Sequence, residues 1–163
     1  MLTFKKTISI IIICFTVLSG VCCSKPVKQL TDPADMYSYV LQNGEFPEMA
    51  DIDSETLEEV YGIDAAKIDK YVLRKSTEKN LADEVGIFKL SDVSYGEKLV
   101  RVLKAHIGSF ARQAEGYNKD QYLIIKNTEV FAKNGYVFFI INKDGAELAN
   151  RLSSMIPGSN ADK

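Results

Sequence analysis

Apolar and polar positions along this chain change their spacing from block to block, and each change marks an element. An unbroken apolar stretch, Thr7 to Val21, comes first, behind Lys5 and Lys6, and "SKPVKQLTDP" is then abruptly polar. In "TDPADMYSYVLQNG" the apolar residues Met36, Tyr37, Val40 and Leu41 recur at helical steps. Asp32 can cap that helix, Pro33 suits its first position and Asn43-Gly44 stops it. "DIDSETLEEVYG" predicts a second, short helix, capped by Asp53 or Ser54 and ended by Gly62.

The spacing then turns strand-like. Ile68 to Ser76 and Asp83 to Ser91 are rich in β-branched and aromatic residues and are separated by the polar "TEKNLA". "SYGEKLVRVLKAHIGSFARQAEG" returns to helical steps, with Val100, Leu103, Ile107, Phe110 and Ala114 on one stripe and Gly116 at the end. "NKDQYLIIKN" predicts a short helix. "TEVFAKNGYVFFIIN" places Asn134-Gly135 between two apolar runs, the favoured two-residue hairpin turn. Tyr136 to Ile141 is apolar throughout, which predicts a central strand buried on both faces. In "KDGAELANRLSSMI", Asp144 and Glu147 are spaced for a capping box, and Leu148, Leu152 and Met155 for an inward face. The expected fold is α+β, a single domain of about four mostly antiparallel strands packed against helices after an N-terminal signal segment.

The first 23 residues carry a separate message. A short basic start, an apolar run and the small residues Ser19 and Gly20 before Cys22-Cys23 make the tripartite layout of an export signal. A buried core helix does not fit, because Ile10 to Ile13 is apolar on every side at the extreme terminus. Thr7 to Cys23 is 17 residues, at the short end of what spans a bilayer, so an uncleaved anchor remains an alternative. In that arrangement Lys5 and Lys6 stay cytoplasmic and the rest is still exported. The run is similar to a bacterial lipoprotein signal, with Cys22 and Cys23 as the candidate lipidation sites, although Val21 stands where such signals carry a small residue. The expected organisation is a signal peptide over 1–22, a linker over 23–31, the folded domain over 32–157 and a frayed tail over 158–163. The expected place is the extracytoplasmic face of the cell membrane, lipid-anchored, or otherwise the secreted fraction.

Composition narrows the function classes. Of 163 residues, 20 are Lys or Arg and 22 are Asp or Glu, for a net charge of −2. Lys5 and Lys6 are the only charges before Cys22, so the remainder has 18 basic and 22 acidic residues, a net of −4. A mildly acidic domain is poorly suited to nucleic acid, which is gripped by clustered Lys and Arg. Cys14, Cys22 and Cys23 are the three cysteines, so from Ser24 onward there is no disulfide, thiol nucleophile or thiolate metal site.

At "VYGID" (Val60 to Asp64), "ADEVGIFKL" (Ala82 to Leu90) and "KNGYVFFIIN" (Lys133 to Asn142), together with the lipoprotein-like start, the chain resembles a family of lipoproteins from Gram-positive bacteria known only as a domain of unknown function. The resemblance runs from about Pro33 to Met155. It implies an exported, lipid-anchored domain and brings no catalytic residues with it.

Read singly, the chemistry-bearing residues have bland explanations. Asp51, Asp53 and Glu55 alternate, but a calcium loop counted from Asp51 would need Gly and Glu where Thr56 and Gly62 stand. Helix capping by first-turn acids accounts for them. His106 is the only histidine, and with no second His and no Cys it cannot build the common zinc sites. No G-x-S-x-G accompanies it, and Gly108-Ser109 falls inside the long helix. Asp83 and Glu84 are adjacent on a strand, so they point to opposite faces, and surface salt bridging is the expected role. No phosphate-cradling glycine motif occurs. Tyr61, Tyr95 and Tyr117 each adjoin a glycine and are the candidate contact surface.

No catalytic residue, cofactor or metal site is expected. The leading expectation is a non-enzymatic module at the membrane surface that binds a protein, peptide or cell-wall ligand. The alternative is an extracytoplasmic small-ligand-binding or sensing domain. A third reading, a hydrolase pairing Asp51 or Asp53 with Glu84, requires two carboxyls across a cleft.

Overall fold

The computed structural model describes residues 29–158. The export segment with Cys22 and Cys23 and the last five residues lie outside the described residues. Along the described chain run α1 (Pro33–Asn43), β1 (Met49–Asp51), α2 (Ser54–Glu59), β2 (Ile68–Ser76), β3 (Glu84–Leu90), α3 (Gly96–Glu115), α4 (Lys119–Lys126), β4 (Val130–Lys133), β5 (Tyr136–Ile141) and α5 (Gly145–Met155). The strands form one sheet in the order β1-β2-β3-β5-β4, with every neighbouring pair antiparallel.

The predicted hairpin is the anchor of this order. Asn134 (φ 50°) and Gly135 (φ 81°) supply the two positive φ values that a tight turn matching strand twist requires. The turn sets Val130 opposite Phe139 and Lys133 opposite Tyr136. All six residues of β5 are buried, as their unbroken apolar run predicts. β3 lies between β2 and β5 and is nearly as buried. A fifth strand joins the expected four: Met49–Asp51 pairs with the far edge of β2. Three residues at an edge, one half-buried and two exposed, leave no alternation to read.

Side-chain alternation divides the core in two. Phe88, Leu73, Val137, Phe139 and Ile141 face a layer made by α2, α3 and α4. Val85, Ile87, Phe138 and Ile140 face the opposite layer, made by α1 and α5. A sheet covered on both faces by helices buries both sets of its side chains. The buried stripe of α3 is Leu99, Leu103, Ile107, Ala111 and Ala114. This is a shift from the expected stripe, because Val100 and Phe110 are only half-buried. Leu41, expected on the inner face of α1, is 38% exposed.

Helix termini follow the sequence with one exception. Asp32 accepts from the Ala34 N–H at 2.9 Å and Asp53 from the Thr56 N–H at 2.8 Å. The expected capping box at α5 does not form: Asp144 makes no side-chain cap bond. Asn142 performs the task instead. Its Oδ1 accepts from the Asp144 N–H at 2.9 Å and its backbone carbonyl from the Gly145 N–H at 2.9 Å. Glu147 pairs with Arg151 one turn on.

The folded unit also begins earlier than residue 32. Leu30 is 5% exposed, its N–H donates to the Met155 carbonyl at 3.0 Å, and Tyr136 Oη donates to the Thr31 carbonyl at 2.7 Å.

The capping acids impose a pH dependence. A hydrogen bond from Lys70, then the Ala34 N–H, holds the Asp32 carboxyl below its ordinary value, and the Thr56 N–H does the same for Asp53. A depressed folded-state value means stability that is present above the unfolded-state value and lost as pH falls through the folded one. The urea midpoint should therefore fall on acidification below about pH 4. Asp53→Asn should lower the midpoint at pH 6 and flatten that fall; equal midpoints at pH 6 and pH 3 would remove these carboxylates from the account of stability.

Candidate functional site

The ladder decides where the acids go. Glu84 opens β3 opposite Lys75 of β2 and Ile141 of β5, on the face that carries Phe88. It therefore points under α3 and not into solvent. Only 3% of it is exposed, so the expectation of a surface strand-end acid is overturned. Asp83 has the expected opposite direction, and its Oδ1 accepts from Asn142 Nδ2 at 2.6 Å.

A carboxylate at that depth needs partners, because burial without them costs several kcal/mol. His106, halfway along α3, supplies one. Its Nε2 lies 3.4 Å from Glu84 Oε2 in hydrogen-bonding direction and 3.2 Å from Oε1. Oε1 itself has no hydrogen-bond partner among the described residues and is shielded from solvent. The Tyr61 ring, at the end of the α2 segment, packs against the His106 ring with centroids 4.3 Å apart. Phe110, one turn along α3, has its ring centroid 6.3 Å from that of His106. Burial pushes the Tyr61 phenol far above its usual value, and the negative charge of Glu84 adds to the effect.

These groups line a concavity of about 610 Å³ between the α2 segment, α3 and the start of β3. Lys75, Ala105 and Ser109 complete its rim and wall. A second groove of about 510 Å³, between α3 and α4, is lined by Lys104, Arg112 and Lys126, whose charges are all exposed. Buried charge distinguishes the first cavity from the second.

The tyrosines nominated as a contact surface do not come together. Tyr61 is 7% exposed and sits in the cavity wall. Tyr95 is also 7% exposed, tucked below the start of α3, where its hydroxyl accepts from the Asp64 N–H at 3.0 Å. Tyr117 is 71% exposed at the turn from α3 to α4. Adjacent glycines gave all three a loop-like setting, but the rings of Tyr61 and Tyr95 turn inward to cover apolar surface. The paired-acid arrangement also fails. Asp51 lies opposite Arg74, which places it on the α1 face, across the sheet from Glu84. There Arg74 holds it at 2.5 and 2.8 Å. Asp53 is bound to the N-terminus of α2.

The Glu84–His106 contact is not encoded in either residue's local sequence. The two residues are 22 positions apart, on a strand and a helix that only the fold brings together. The available signal was parity. Glu84 shares its face with Phe88, four residues or two strand repeats away, and an acid in phase with core residues is placed inward.

Fold and cavity together define a small domain with helices on both faces of a five-stranded antiparallel sheet and a buried carboxylate at the floor of one groove. The profile of the family described as Domain of unknown function (DUF4358) matches residues 42–142, and the chain belongs to that family. The matched span contains Tyr61, Glu84 and His106. No curated protein and no solved structure matches the chain. Among the described residues, no helix is long and apolar enough to cross a membrane.

Proposed function

We propose that this chain is an exported, membrane-tethered, non-enzymatic binding domain whose ligand enters the cavity between the α2 segment and α3. The observation that carries the reading is Glu84: a buried carboxylate beneath the floor of an open concavity, paired to His106 through one side and with an Oε1 that makes no hydrogen bond among the described residues. Buried polar atoms are nearly always hydrogen-bonded to protein, ordered water or a ligand, so an exception beside a cavity calls for an occupant. The cavity volume of about 610 Å³ suits a small molecule or the end of a peptide or cell-wall chain. Export and tethering are supported by the basic start, the apolar run and Cys22-Cys23.

Two measurements test the two halves. Ala105 is exposed on α3 at the cavity wall, so Ala105→Trp should fill the opening without disturbing the core. The full chain in detergent is screened by thermal unfolding against small metabolites and cell-wall fragments. At least one compound at ten times its Kd should raise Tm by about 5 °C in the wild type and not in Ala105→Trp. Identical profiles for both proteins across the whole panel would overturn the binding reading. For the tether, intact mass should show a lipid increment that disappears in Cys22→Ser or Cys23→Ser, with release from the membrane. Retention of mass and membrane association in both variants would overturn the anchor.

A further inference from the structure

The geometry points to an organic cation, a small molecule bearing an ammonium group, as the occupant of this cavity, its charge drawn to the Glu84 carboxylate. This rests on the reading of the cavity as a binding site and specifies its chemistry.

Three features select the cation. The first is charge. Glu84 is 3% exposed, and His106 Nε2 lies 3.4 Å from its Oε2 and 3.2 Å from its Oε1, while Oε1 makes no hydrogen bond of its own among the described residues. A buried carboxylate oxygen has acceptor capacity only, so it calls for a donor, and a charged donor gives the shorter and stronger bond. An anionic ligand would meet repulsion here, and a ligand with no donor would leave the oxygen as it is. The second is the wall. Tyr61, His106 and Phe110 stand in sequence, with centroids 4.3 and 6.3 Å apart. Aromatic faces beside a carboxylate are the setting in which ammonium groups are recognised, because ring quadrupole and carboxylate attract the same charge.

The third is that, among the described residues, no lysine or arginine fills the place, and His106, 3.2 Å from Oε1, is a cation only when protonated. Lys75 is directly opposite Glu84 in the ladder, yet its side chain lies exposed at the rim and forms no ion pair among the described residues. Other cations on the sheet have partners of their own: Arg74 is paired to Asp51, Lys89 to Asp69 and Lys70 to Asp32. The cavity is also far larger than an ammonium ion. Val60, Val102 and Phe110 give the ligand's carbon skeleton an apolar surface to cover.

Calorimetric titration of the full chain in detergent tests this with matched pairs. The probes are butylamine with butanol, phenethylamine with 2-phenylethanol, and the dipeptide Ala-Ala with its N-acetyl form. The amines should bind at least tenfold more tightly than their neutral partners. Glu84→Gln, which keeps the shape and removes the charge, should erase that preference, and Ala105→Trp should abolish binding. Binding of Ala-Ala, lost on acetylation, would assign a peptide amino terminus as the source, whereas binding of the simple amines alone would assign a free metabolite. Equal affinity for amine and alcohol in the wild type overturns the cation inference without needing any variant. If Ala105→Trp still blocks that binding, the cavity reading survives. No binding by either member of any pair overturns the cation inference, and the metabolite screen then decides the cavity reading separately.

Discussion

Phe139→Ala should destabilise the domain by about 3–5 kcal/mol, a large part of the roughly 5–15 kcal/mol that holds a domain of this size folded. Phe139 is fully buried in β5 and contributes to the core under α3. Its ring lies directly over Gly86, its ladder partner on β3. A Cβ added at Gly86 would fall 2.3 Å from Phe139 Cε1, closer than any real contact. The glycine is therefore the space in which the ring sits. Gly86→Ala should cost about 1–3 kcal/mol through overpacking, despite the better strand propensity of alanine. Combining the two substitutions gives the decisive result. The methyl of Gly86→Ala enters the volume that Phe139→Ala vacates, so the double variant should be more stable than the sum of the singles by about 1 kcal/mol or more. Urea unfolding of all four proteins measures it, and strict additivity would show that the ring does not depend on the missing side chain.

Asn142→Asp should cost about 3 kcal/mol at neutral pH, from one exchanged atom. The Asn142 amide is a two-way connector. Its Nδ2 donates to the Glu45 carbonyl at 2.8 Å and to Asp83 Oδ1 at 2.6 Å, while its Oδ1 accepts from the Asp144 N–H. It is 7% exposed, so water cannot replace these bonds easily. The substitution puts an acceptor where two acceptors already converge and places a second negative charge against Asp83. The loss should shrink on acidification, because the introduced carboxyl can take up a proton and donate to Asp83. That moves opposite to the acid sensitivity of the capping carboxylates. Comparing urea midpoints of variant and wild type between pH 7 and pH 4 separates the two trends. A deficit that does not change with pH would mean that lost geometry, rather than charge, is responsible.

Where the sequence could be read correctly, the information was local. Asn134-Gly135 dictates its turn by backbone conformation alone, and the Asp53 cap needs only the amide three residues on. Both strands of the "IDKYVLRKS" and "DEVGIFKLS" pair appear in place, because their composition suits a pleated surface whichever neighbour they find. What could not be read depends on partners distant in the chain. β1 exists because β2 offers an edge. The Asp144 and Glu147 box lost to Asn142, whose side chain was free to turn back onto the helix start. The α3 stripe sits slightly off its expected angle because Phe110 faces the cavity while Ala111 takes the inner position. The site was the least legible part. Glu84 acquires its meaning from His106, and a lone acid and a lone histidine each look unremarkable until the sheet and α3 bring them together.

The bond from Leu30 to Met155 has a geometric consequence for the proposed tether. The chain enters the fold on the α1 and α5 side of the sheet, whereas the Glu84 cavity opens on the α3 side. Five residues, 24–28, separate Cys23 from the first described position. Fully stretched, they reach at most about 20 Å. A lipid on Cys23 would thus act as a short leash fixed to one side of the domain. It would keep the α1 and α5 layer nearer the bilayer than the mouth of the cavity is.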